Sequence, residues 1–329
     1  MIKRTLYFGS PLYLSFKDEQ LIVEHRNFDS AIIIDDGGIN LNTGDRDIEK
    51  EDKYLKRKFQ REAIPIEDIG IIILDHHGVG TSQFLISKLL ENNVAVIFCN
   101  EKHHPTGLLL NLDGNHVQSE KFRAQINAST PLRKNLWQQT ISSKINNQAA
   151  LLKEKGATIG NMLNWVKKVN SGDTKNYEAR AAVYYWKNLF PEEVDFYRDR
   201  FGEPPNNLLN YGYAILRAIV ARGLVASGLL PTFGIHHKNK YNAYCLADDI
   251  MEPYRPFVDK IVCGLIDKGS DYYILSKEIK TELLKLPSID IMINGEKSPL
   301  LVGLQRTTAS LAKCFEGKNK KIIYPEFVN

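Results

Sequence analysis

Apolar and polar positions alternate with a period of two through much of the first hundred or so residues, the pattern of strands with one buried face. The segments "LYLSF" (12–16) and "QLIVEH" (20–25) flank Lys17-Asp18-Glu19 and predict a hairpin, and "SAIIID" (30–35) predicts a further strand. The apolar run in "IGIIILD" (69–75) predicts a strand buried on both faces. After it, Thr81 or Ser82 can cap a helix through "QFLISKLLENN", and "VAVIFC" (94–99) returns as a strand, giving a small β-α-β element. The charged stretch "RDIEKEDKYLKRKFQRE" (46–62) reads as an exposed loop or short surface helix. "NEKHHPTG", with Pro105 and Gly107, ends the sheet region and opens a linker.

From Ser119 onward the spacing changes to helical periods. Pro131 behind Thr130 marks a helix start, and Leu132, Trp137, Ile141, Ile145, Ala149 and Leu152 keep to one face until Gly156. A second helix follows "SGD" (171–173) and runs through "NYEARAAVYYWKNLF". A third, near 207–227, carries Leu209, Tyr213, Leu216 and Val220 inward and stops at Gly228 and Pro231. The segment "SPLLVGLQRTTASLAKCF" (298–315) is helical by the same reading. The expected architecture is α+β: a small β-rich amino-terminal domain (1–102), a linker (103–118) and a larger all-α domain (119–329). The aromatic groups Tyr184-Tyr185-Trp186 and Tyr211-Gly212-Tyr213 fit core packing better than base stacking.

Composition adds few constraints: 43% apolar and 25% charged residues are ordinary for a globular protein. No long charge-free run resembles a membrane span, and the amino terminus alternates like a strand without a small-residue cleavage site, so a cytoplasmic protein is expected. Cys99, Cys245, Cys263 and Cys314 show no C-x-x-C spacing and read as buried thiols. The formal net charge is only +4, but it is unevenly placed. Between Ser119 and Asn170, nine bases (Lys121, Arg123, Arg133, Lys134, Lys144, Lys153, Lys155, Lys167, Lys168) face two acids, Glu120 and Glu154. Such an excess suits a phosphate-binding surface, and it also suits a solvated helix face.

The chemistry concentrates in "GIHHKNKYNAYCLADDIMEPYRP" (234–256). If the histidines lie in extended backbone, His236 and His237 point to opposite faces and only one faces a site. Asp249 and Glu252 are three positions apart, which on a helix sets their carboxylates on one face about 5–6 Å apart. In an apolar setting two such groups repel unless a cation or a shared proton lies between them. Hard oxygen ligands with one imidazole suit Mg2+ or Mn2+, and the absence of thiolates argues against structural zinc. The same residues also fit a hydrogen-bonded histidine and helix-capping carboxylates. Glu178 in "NYEARAAVYYW" is a third candidate at the edge of a buried helix face, or simply an acid favourable to the helix dipole. "HHGVGTS" (76–82) lacks the lysine and glycine spacing of a phosphate loop and reads as a turn, and solvent exposure accounts for His103 and His104.

Together, "GIHHKNKYN", "LADDIMEPYRPFVD", "SGDTKNYEARAAVYYW" and "LLNYGYAILRAIVARGLVASGLLP" resemble the CRISPR-associated spacer-acquisition integrase, the universal first Cas protein, in its type II form. "IPIEDIGIIILD" and "NEKHHPTGLLLNL" resemble its amino-terminal domain, so the likeness runs along nearly the whole chain. The resemblance implies a metal-binding catalytic trio at Glu178, His237 and Glu252, with Asp249 as a supporting acid. It also implies a homodimer joined through the amino-terminal domains, with two dimers flanking a dimer of the small second CRISPR-associated protein. The implied reaction is metal-dependent transesterification, in which the 3′-hydroxyl of a DNA fragment attacks a phosphodiester at the edge of the CRISPR repeat. Arg133, Lys134 and Lys144 are candidates for DNA backbone contacts. Two other functions use the same residues: a metal-dependent endonuclease that uses water as nucleophile, and a non-catalytic DNA-binding scaffold.

Overall fold

Alternation in the first segments is realised as β1 (Arg4–Phe8), β2 (Leu12–Lys17) and β3 (Gln20–His25). The computed structural model describes residues 3–25, 61–191, 194 and 196–327; the expected strand at 30–35 and the charged stretch up to residue 60 lie outside the described residues. β2 and β3 pair antiparallel with Lys17 opposite Gln20, and the turn residues Asp18 and Glu19 both have positive φ, 50° and 57°. Two successive left-handed residues give a hairpin turn whose twist matches that of its strands. β4 (Arg61–Pro65), β5 (Ile69–Leu74), β6 (Val79–Thr81), α1 (Gln83–Glu91), β7 (Ala95–Cys99) and β8 (Pro105–Leu109) follow. Ser82 caps α1 as expected, its Oγ accepting the Leu85 N–H at 3.2 Å.

These strands make two sheets, ordered β4-β3-β2-β6 and β1-β5-β7-β8. β5 is parallel to both β1 and β7, and all six of its residues are buried because both of its faces are covered. Ile69, Ile72 and Leu74 pack with Leu14, Leu21, Leu85 and Leu89. Ile71 and Ile73, with Ile97 of β7, join the core of the helical region instead. The second sheet is therefore the middle layer of the protein. The expected linker is shorter than 103–118, because Pro105–Leu109 is the fourth strand of that sheet, antiparallel to β7.

The helical region comprises α2 (Gln118–Ile126), α3 (Thr130–Glu154), α4 (Gly160–Lys168), α5 (Tyr177–Leu189), α6 (Asn206–Ala226) and α7 (Cys245–Met251). A 3-10 turn at Glu252–Tyr254, α8 (Arg255–Asp267) and α9 (Lys277–Leu283) come next. The region is not all-α: β9 (Asp290–Ile293) and β10 (Glu296–Pro299) precede α10 (Leu300–Phe315), and β11 (Pro325–Glu326) completes an antiparallel sheet ordered β10-β9-β11. Asn294 and Gly295, with φ of 53° and 77°, turn that hairpin, and Asn-Gly is a strong sequence signal for such a turn.

α3 starts where Ser129 Oγ accepts the Leu132 N–H at 3.3 Å, and it buries Trp137, Ile141, Ile145, Ala149 and Leu152. α6 is the central helix, buried on nearly every side. By length and hydropathy it could cross a membrane, but 83% of that window is buried inside the protein, which marks it as a core helix. A Cβ at Gly212 would collide with Val258 of α8, and one at Gly223 would stand 2.7 Å from Leu304 of α10, so the two glycines permit the close helix crossings. Asp75 pins sheet to helices: its buried carboxylate contacts Lys280 Nζ of α9 at 2.7 Å and His103 Nδ1 at 3.0 Å. His103, expected to be explained by solvent alone, is thus partly structural.

Candidate active site

Glu178 is set in place by the start of α5. Asp173 accepts the N–H groups of Tyr177 and Glu178, one with each carboxylate oxygen and both at 2.9 Å, which satisfies two of the free donors at the helix end. With its backbone fixed in that first turn, Glu178 projects toward α3 and its Oε1 accepts from Lys144 Nζ at 2.7 Å.

The histidine loop is held by Asp249 of α7, whose side chain is fully buried. Asp249 accepts the backbone N–H of His236 at 2.9 Å and that of His237 at 3.2 Å, and its Oδ1 lies 2.6 Å from His237 Nδ1. A carboxylate already accepting two N–H groups requires Nδ1 to be the donor, so the Nε2 lone pair of His237 is left available. The hydrogen bond to Asp249 raises the His237 pKa, outweighing the burial that lowers it. Gly234 permits the loop to pass this close: an added Cβ would stand 2.5 Å from the His237 carbonyl oxygen and 2.7 Å from Asp249 Oδ2.

Glu252 enters from the 3-10 turn after α7, where Pro253 follows it. It is buried between two cations, Lys144 Nζ at 2.6 Å from Oε2 and Arg255 Nε at 2.9 Å from Oε1. Burial alone would raise its pKa, but Arg255 and Lys144 outweigh burial and hold it at about 2. Burial likewise opposes the charge on Lys144, whose pKa is nonetheless raised by Glu252 and Glu178. The two contacts of Glu252 are ionic rather than directional, since Glu252 Oε2 and Arg255 Nε each lack a well-angled hydrogen-bond partner despite their proximity to a charge. The Arg255 guanidinium also lies over the Tyr213 ring, 4.6 Å from its centroid, and the Tyr213 hydroxyl donates to buried Asp259 at 2.5 Å.

Glu178 and Glu252 are thus brought together on Lys144, and His237 is brought to Asp249; among the described residues no hydrogen bond or ion pair joins the imidazole to either glutamate. Asp249 and Glu252 do not share a cation: Asp249 spends its lone pairs on the histidine loop, and the carboxylate that shares a cation with Glu252 is Glu178. His236 and His237 do not diverge, because residues 234–244 form turns and bends rather than a strand. Both rings pack on Trp137, His236 stacked at 4.1 Å and His237 edge-on at 5.8 Å. Lys144 is not a surface contact for DNA; its side chain is 10% exposed. Lys134 is exposed, and Arg133 is half-buried, its guanidinium donating to the Ile126 carbonyl at 2.7 Å. Arg133 lines a cleft of about 470 Å³ with His237, Lys238, Lys240 and Phe233.

The donor types, two carboxylates that converge on one ammonium group and an imidazole oriented by a buried acid, are those a hard divalent cation takes. As placed, Glu178, His237 and Glu252 do not form a closed ligand set; among the described residues no group of three His, Cys, Asp or Glu side chains is close enough to hold an ion. Sequence reasoning missed the parts played by Lys144, Arg255, Trp137 and Asp173. One signal was available: Lys144 lies seven positions after Trp137, two helical turns along the same apolar stripe.

Fold and site define an α+β protein whose helical region gathers acids, an imidazole, a buried lysine and a partly exposed arginine from separate elements. The family model described as CRISPR associated protein Cas1 matches residues 32–273. The chain is 33% identical over 290 residues to the CRISPR-associated endonuclease Cas1 of Neisseria meningitidis serogroup C (strain 8013), covering 87% of this chain and 94% of that protein. The fold superposes on a casposase bound to integration product with a TM-score of 0.73 at 20% identity, covering 98% of this chain and 92% of that one. It superposes on a Cas6-RT-Cas1–Cas2 complex with a TM-score of 0.67 at 18% identity, covering 97% of this chain and 36% of that one. The chain belongs to the Cas1 family.

Proposed function

We propose that the chain joins the 3′-hydroxyl ends of short DNA fragments to a CRISPR repeat by transesterification, with Glu178, Glu252 and His237 Nε2 as ligands for Mg2+ or Mn2+. The observation that carries this reading is the convergence of Glu178 and Glu252, from separate elements, on the single charge of Lys144. When bound, a divalent ion supplies electrostatic stabilisation to charge developing on a phosphoryl group and its leaving oxygen. Asp249 keeps the His237 ring in the tautomer that leaves Nε2 free, and Arg255 fixes Glu252 through its other oxygen. Arg133, Lys238 and Lys240 beside His237 are suited to hold DNA by its phosphates, contacts that position a strand without reading its sequence. Exchange of one phosphodiester for another needs no external energy source.

The assembly we propose is a homodimer joined through the amino-terminal region, 1–102, with the helical region, 119–329, handling DNA. A smaller CRISPR-associated partner between two such dimers accords with the Cas1–Cas2 complex among the structural neighbours. The casposase neighbour, described with an integration product, favours strand joining. The relatives named endonucleases favour a second reading, hydrolysis at the same centre. Supplying a labelled fragment with a free 3′-hydroxyl, a repeat-bearing plasmid, Mn2+ and the partner protein separates the two. Label joined to plasmid supports integration; nicked plasmid without joined label supports hydrolysis.

A further inference from the structure

We infer that Lys144 is an internal counter-cation which holds Glu178 and Glu252 together in the metal-free protein, and that a divalent ion enters the centre by displacing its ammonium group. This rests on the proposed reading of Glu178 and Glu252 as metal ligands. Lys144 comes from the buried face of α3, and its Nζ lies 2.7 Å from Glu178 Oε1 and 2.6 Å from Glu252 Oε2. An ion in contact with the same two oxygens competes with the ammonium for the same lone pairs. The contact with Oε2 is close but has no good hydrogen-bond angle, so that oxygen is neutralised without being geometrically committed to its partner.

Charge decides which cation leaves. Two carboxylates, buried Glu252 and partly exposed Glu178, face two cations, Lys144 and Arg255, so the group is balanced before any ion arrives. Adding a divalent ion with both cations in place would bury two uncompensated charges, a severe desolvation cost. Arg255 occupies the other oxygen of Glu252 and stacks on Tyr213, and it can remain. Lys144 holds the ligand oxygens themselves, and its flexible four-carbon stem allows the ammonium to withdraw while α3 stays still. The metal-free centre is thereby kept assembled, without the repulsion that two bare carboxylates would suffer.

Amine-reactive labelling of the full-length wild-type protein, read by mass spectrometry with and without Mn2+, tests the displacement without a variant. The reactivity of Lys144 should rise at least tenfold on Mn2+ saturation, while that of Lys280, buried against Asp75, stays constant. Calorimetry gives a second measure: Lys144→Met should bind Mn2+ at least tenfold more tightly than wild type. Glu178→Gln and Glu252→Gln identify the site being titrated. If Mn2+ binding depends on both glutamates while Lys144 stays protected and Lys144→Met binds no more tightly, displacement is wrong and the centre stands. If neither glutamate matters to Mn2+ binding, or no Mn2+ binds, the centre is wrong and this inference with it.

Discussion

Asp249 and His237 form a single positioning unit: one carboxylate oxygen lies 2.6 Å from the imidazole Nδ1 and also accepts the N–H of the same residue. The ring and the backbone that carries it are fixed by one buried group, which in turn sets which imidazole nitrogen can act.

Asp249→Asn should therefore impair His237 without removing it. An amide can present its NH2 group to Nδ1 and favour the opposite tautomer, taking the lone pair away from Nε2. Mn2+ affinity should fall about 10–100-fold, the usual cost of losing the acid behind a ligating histidine. Calorimetric titration beside His237→Gln checks this, and equal affinity in Asp249→Asn and wild type would contradict it.

Glu252 couples the centre to acid stability. Its folded-state pKa, about 2, is depressed from the ordinary 4.5, so its stabilising contribution is present above pH 4.5 and is lost as pH falls toward 2. Glu252→Gln should abolish strand transfer and remove this acid dependence. Glu252→Ala, which leaves buried Lys144 and partly exposed Arg255 without their shared partner, should cost about 3–5 kcal/mol of stability, so the amide is the cleaner test of function. Urea unfolding at pH 7 and pH 3 compares the variants with wild type.

Asp259 gives the opposite sign in a different window. Burial pushes it up to about 6, more than the hydroxyls of Tyr213 and Tyr185 pull it down. Its folded-state pKa is raised, so the stability linked to its proton is present below the ordinary carboxylate range and is lost as pH rises through 6. Between pH 5 and pH 8, wild type should lose about 1–2 kcal/mol that Asp259→Asn does not lose. Unfolding free energies of the two proteins at those pH values provide the check, and parallel pH profiles would contradict it.

Gly234→Ala tests the close approach of the histidine loop. The new Cβ would press on the His237 carbonyl oxygen and on Asp249 Oδ2, moving the imidazole from its seat. A shift near 1 Å at a reacting centre costs on the order of 100-fold in rate, so activity should fall much further than thermal stability. Strand-transfer rates and melting curves measured on one preparation would separate the two effects.

Much of the fold was legible because period and punctuation agreed. The hairpin at Asp18-Glu19, the buried β5 and the three long helices α3, α5 and α6 all follow spacing that burial enforces. The hairpin of β9 and β10 was overlooked although Asn294-Gly295 marks it, because its strands are short and lie between helices. The acids and the histidine were found through the resemblance as much as through spacing. Lys144 was misread because a charge tally along the chain is blind to burial, whereas its place on the Trp137 stripe is not. The two histidines were separated by a rule for strands in a segment that forms none.

The central claim, that Glu178, Glu252 and His237 form one cation-dependent centre, is tested most directly by electron paramagnetic resonance of Mn2+ added to the full-length protein. Wild type should show one tightly bound ion with nitrogen hyperfine coupling from an imidazole. That coupling should vanish in His237→Gln, and tight binding should be lost in Glu178→Gln and Glu252→Gln. Bound Mn2+ without nitrogen coupling, or binding indifferent to all three substitutions, would contradict the account.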